Sequence, residues 1–106
     1  MDKRYSNEQL FRIVDQAMVY QCACPAQVAS IMRELRRVHA YQQGCLNLIG
    51  TDDMVHQRIS DDVRQVHATM ETCLTAVLEM EGWDMTTLTM PDNLKKKMVE
   101  SAPDKR

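Results

Sequence analysis

Residues 51–82 read TDDMVHQRISDDVRQVHATMETCLTAVLEMEG. Within them Ile59, Val63, Val66, Met70, Cys73, Val77 and Met80 recur at steps of 4, 3, 4, 3, 4 and 3. That spacing is the a/d seam of one long amphipathic helix. Thr51 or Asp52 is placed to cap it, and Asp52 and Asp53 sit favourably against the positive end of its dipole. Gly82 ends it, and Trp83 follows where a Schellman turn puts its hydrophobic contact. A second stripe of His67, Leu74 and Leu78 runs beside the first. The predicted helix covers 52–81 and is about 45 Å long.

The few glycines and prolines divide the rest of the chain. There are 3 of each in 106 residues, too few for a turn-rich β fold. Pro25 suits a first helical position, where its missing N–H is harmless. Behind it Val28, Ile31, Met32, Leu35 and Val38 form an apolar face, and Gly44 is the expected end, giving a helix over 25–43. Arg33, Glu34, Arg36 and Arg37 lie mostly off that face. Before it, Ser6 and Gln9 are spaced as a capping box. Leu10, Ile13, Val14, Ala17 and Met18 then mark a helix over 6–22. A short helix over 91–101 follows Pro91, anchored by Leu94 and Met98, and the tail from about 102 is expected to be disordered. The expected fold is all-α: one domain, a small antiparallel bundle of three main helices plus the short C-terminal one.

Composition narrows the function. Thirteen Lys+Arg against 15 Asp+Glu leave a net charge of −2, which argues against a nucleic-acid binder. No apolar run approaches the ~18 residues that span a membrane, and no secretory signal is visible. A cytoplasmic chain is expected, with its four cysteines as thiols. Three scattered glycines build no phosphate loop, and no catalytic signature is present, so catalysis is not expected.

A short loop near Leu48 makes the second and third helices antiparallel, with facing residue numbers summing to roughly 96. Arg33, Arg36 and Arg37 then stand level with Asp61 and Asp62. In that register the last third of the long helix overhangs the Cys24-Pro25 turn. The overhang carries Val77, Leu78, Met80 and Trp83, an apolar patch of the kind that marks an interaction site. The expected function is therefore a protein-interaction or regulatory module, a homodimer that also binds a protein partner, with no cofactor.

The alternative lies in the thiols. Cys24 opens the second helix, where free amides favour a thiolate. Cys22 precedes it by two, and the register brings Cys73 level with both. Cys22, Cys24 and Cys73 together suit a redox site or a soft-metal site for zinc, copper or iron. Against this, Cys73 lies on the seam, and free cysteine commonly packs as a small apolar residue. Near the loop, His39, Gln42 and His56 are expected to form a hydrogen-bonded polar layer that fixes register.

Overall fold

A computed structural model describes residues 1–19, 24–46 and 53–92. Among these are three helices: α1 (Asn7–Val19), α2 (Cys24–Leu46) and α3 (Asp53–Glu81). They pack on one another as a helical bundle, α2 against both α1 and α3. The C-terminal helix expected over 91–101 falls largely outside the described residues.

The helix ends follow from local chemistry. The amide of Gln9 donates to Ser6 Oγ at 3.1 Å, and the amide of Ser6 donates to Gln9 Oε1 at 2.8 Å. Both halves of the capping box are present, so two otherwise orphaned amides at the start of α1 are satisfied. At the end of α3, Gly82 takes φ 79°. Its amide donates to the Glu79 carbonyl at 3.1 Å, and that of Trp83 to the Leu78 carbonyl at 3.0 Å. These are the two bonds of a Schellman motif, and the left-handed φ is why glycine stands there. Gly44 does not end α2, which runs two residues further to Leu46. Nothing there demands a left-handed turn, so the glycine is simply carried within the last helical turn.

The core holds Leu10 and Ile13 of α1, Ala29 and Met32 of α2, and Leu74 and Leu78 of α3. Tyr5 enters from the N-terminal segment, and Trp83, Leu88 and Met90 close one end. Each large apolar side chain so buried contributes about 1.5–3 kcal/mol. The closing segment is a tight turn that periodicity does not reveal. Asp84 Oδ1 accepts from the amides of Thr86 and Thr87, and Asp84 and Thr89 form an antiparallel bridge. Gln16 of α1 clamps the turn, donating to the Leu88 carbonyl at 2.6 Å and accepting from the Met90 amide at 2.8 Å.

The register differs from the expected one. Arg36 meets His67 and Gln43 meets Ser60, so facing residues of α2 and α3 sum to 103. Pro25 is then level with Leu78, and the overhang at the end of α3 disappears. The cross-helix charge pairs disappear too. Asp61 pairs with Arg64, Asp62 with Arg58, and Glu34 with Arg37, all within one helix. Neighbours three or four apart reach each other without help from the tertiary fold, and such pairs say little about register.

The buried face of α3 is not the heptad seam. It is Ser60, His67, Glu71, Leu74 and Leu78, the line of the second stripe. The seam lies about 100° around the helix from it. On α2 the buried line is Ala26, Ala29, Met32 and Arg36. Of the expected apolar face only Met32 is inside, while Val28, Leu35 and Val38 are half-buried and Ile31 is 48% exposed.

Candidate interaction surface and the polar latch behind it

The shifted register separates the residues expected at an interaction site. Leu78 and Trp83 belong to the core of the chain itself. Val77 is half-buried and Met80 is 85% exposed. They are the lower end of a longer apolar surface that the overhang picture hides.

That surface is one side of the α2–α3 hairpin. The other side is covered: Tyr5 of the N-terminal segment bonds Thr75 and Glu71 of α3, and Arg33 of α2 sits 3.8 Å over the Phe11 ring of α1. Turning away from α1, α3 presents the seam, with Ile59, Val63, Met70, Cys73 and Val77 half-buried and Val66 46% exposed. Turning the same way, α2 presents Ile31, Leu35 and Val38, roughly 130° around from Arg36. Because the helices are antiparallel, both stripes fall on one face.

Charge is absent from the middle of this face. From Gln65 to Leu78 the only ionisable side chains of the DEKR type is Glu71, and Glu71 points into the protein. Of the exposed residues in that stretch Val66 lies on the seam itself, and Gln65, Ala68, Thr69, Thr72 and Ala76, all uncharged, lie further around the helix. Depletion of charge at the centre of a surface is the compositional mark of an interface core.

Behind the face lies a buried polar latch. Arg36 is buried and donates in three directions: to His67 Nε2 at 2.9 Å, to Asn7 Oδ1 at 2.7 Å, and to the Tyr5 carbonyl at 2.6 Å. It also reaches Glu71 Oε2 at 3.5 Å. The same Glu71 oxygen accepts from the backbone amides of Arg4 and Tyr5. The latch ties the N-terminal segment and α1 to α2 and α3 through groups that are nearly all satisfied, as burial of charge demands.

One group in it is not satisfied. His67 is 1% exposed, and its Nε2 accepts from Arg36, so the neutral ring carries its proton on Nδ1. That atom is buried without a hydrogen-bond partner. Burial pushes the His67 pKa below its ordinary value; Glu71 opposes this, while Arg36, Lys3 and the N-terminal amine add to it. His39 shifts the same way, first by burial and then by the N-terminal amine, Arg64 and Lys3. In the unfolded chain a histidine gains its proton near pH 6.5. The folded chain resists that proton, so stability is fully present above this value and is lost as pH falls through the window beneath it. The melting temperature is expected to drop between pH 7 and pH 5, and to drop less in His67→Gln. A melting temperature that stays level or rises over that interval contradicts a neutral buried His67.

His56 Nδ1 and Gln42 Oε1 are 2.6 Å apart, and Gln43 donates to Ser60 Oγ at 2.9 Å. A polar layer therefore exists near the loop; His39 sits beside it, half-buried. Cys22 lies outside the described residues. Cys24 is exposed at the first position of α2, and Cys73 is half-buried on the seam. In the observed register Cys73 is level with Ser30, six residues or about 9 Å along α2 from Cys24. The levelling that grouped these thiols is thus lost. Among the described residues no group of three or more His, Cys, Asp or Glu is placed to hold a metal ion. None of the described helices is long and apolar enough to cross a membrane.

No family model, curated protein or solved structure matches this chain.

Proposed function

We propose that the chain is a protein-interaction module whose working surface is the open face of the α2–α3 hairpin, and that its first partner is a second copy of itself. The observation that carries this is the uninterrupted heptad seam standing half-exposed beside a complete core. A sequence that merely needed to close its own bundle has no use for two apolar stripes on one helix. The seam is self-complementary, because a/d knobs of one helix fit the holes of another with the same repeat.

Size supports the same reading. From Val55 to Met80 the stripe is about 38 Å long, and two neighbouring helices give it a width of about 18 Å. The product, roughly 700 Å², is close to the ~800 Å² per partner of a standard stable interface. Shape agrees: the Cα radius of gyration is 17.1 Å, whereas a compact chain of this length has about 13 Å. A plate-like protomer with one apolar side is a half-built bundle.

Placing a charge in the middle of the face tests this. Val66→Glu is expected to leave helix content unchanged, because the side chain is already accessible to water. It is expected to weaken self-association at least ~10-fold by burying an unpaired carboxylate at the contact. Light scattering behind a sizing column reads both species. A variant with the same mass as wild type at every concentration contradicts the assignment of this face.

A further inference from the structure

On the opposite side of the hairpin, α1 and α2 enclose an open cleft of about 550 Å³, a size that suits a small ligand or the tip of a larger one. Arg33, Arg36 and Arg37 of α2 line it, with Lys3, Asn7 and Phe11 across from them. Four cations converge in a chain whose net charge is −2.

Two of the four are already answered. Arg37 pairs with Glu34 at 3.3 Å, the one carboxylate in the lining, and Arg36 has Glu71 behind it. Lys3 and Arg33 have no acidic partner among the described residues. The Arg33 guanidinium is instead stacked 3.8 Å above the Phe11 ring. Stacking holds the planar fork in one orientation and leaves its N–H edges free for a planar or tetrahedral oxyanion. The Ser30 hydroxyl and the Asn7 amide supply neutral donors in the same lining. The excess of positive charge is felt nearby: Lys3 and the N-terminal amine both depress His39 and His67.

We propose that the cleft between α1 and α2 is a binding site for a phosphate monoester group, held by Arg33 as a fork and Lys3 as a point charge. Two uncompensated cations match the charge of a dianion, and a fixed guanidinium is the side chain suited to bidentate contact with phosphate oxygens. The exposed part of the Phe11 ring offers a surface for a flat apolar group on the ester. The site does not depend on self-association, because it faces away from the seam. Loss of one therefore leaves the other to be measured.

The experiment is a titration of the full chain with phenyl phosphate and with inorganic phosphate, at constant ionic strength, followed by amide chemical shifts. Saturable shifts are expected at residues 3, 7, 30 and 33, with phenyl phosphate binding at least as tightly as inorganic phosphate. Binding is expected to weaken at least ~10-fold in Lys3→Ala with Arg33→Ala, the loss of two charge-assisted contacts. Both side chains reach solvent, so the variant keeps its fold and its dispersed spectrum reports that. Three results overturn the proposal: no saturable shift with either compound, binding unchanged in the double variant, or binding of inorganic phosphate alone.

Discussion

Replacing Arg36 with alanine is expected to destabilise the protein by about 3–5 kcal/mol, the penalty for leaving one partner of a buried pair alone. Arg36 touches His67, Asn7, the Tyr5 carbonyl and Glu71 together. Without it the Glu71 carboxylate stays buried with only the Arg4 and Tyr5 amides to answer its charge. The Tyr5 carbonyl and Asn7 lose donors as well. A small domain has about 5–15 kcal/mol of stability in all, so the variant stands near the edge of folding. Arg36→Lys is expected to rescue little, since one ammonium cannot donate along three fixed directions in a plane. Urea unfolding measures each of these losses. An Arg36→Ala variant within about 1 kcal/mol of wild type contradicts the latch as described.

Leu78→Ala is the second large loss, at about 2–5 kcal/mol. Leu78 is fully buried in the core cluster. It is also the residue whose carbonyl accepts from Trp83 in the turn that ends α3. A cavity there loosens Trp83, and with it the closing segment of Leu88 and Met90. The same truncation one residue earlier, Val77→Ala, removes a half-buried side chain and is expected to have a much smaller effect on stability. Thermal or urea unfolding of the two variants separates the core face of α3 from its open face. Equal losses at Leu78 and Val77 contradict that division.

Much of this fold is legible in the sequence, because helix ends are local chemistry. Ser6 with Gln9 and Gly82 with Trp83 mark their helix ends through bonds that involve residues a few positions apart. What is not legible is which side of α3 faces inward. Its buried line is the second stripe of His67, Leu74 and Leu78 extended by Ser60 and Glu71, and a count of apolar residues ranks that stripe below the longer seam. The seam that periodicity selects is real, but it lies half-buried at the edge of the core, with Val66 and Met80 exposed. Arg36 is read as a surface charge for the same reason: its partners are His67, 31 residues away, and Glu71, 35 away. The expected register rests on a loop centred near Leu48, about three residues before the midpoint that the Arg36–His67 and Gln43–Ser60 contacts give, and the charges offer no check on it. Asp61 and Asp62 look available to α2 but are taken by Arg64 and Arg58 of their own helix. With the register displaced, the overhang and the levelling of Cys73 with Cys24 go together. The turn at 84–89 had a usable signal in Asp84 followed by Thr86 and Thr87, the pattern of an aspartate bonding amides two and three residues on.

Sedimentation equilibrium of the unmodified chain tests self-association through the open face of the hairpin most directly. An interface of this size sustains association at micromolar concentration or below. The predicted result is a mass of twice the 12.3 kDa chain, falling toward the single-chain mass on dilution. A mass of 12.3 kDa that persists as the concentration is raised to the millimolar range contradicts self-association through this face.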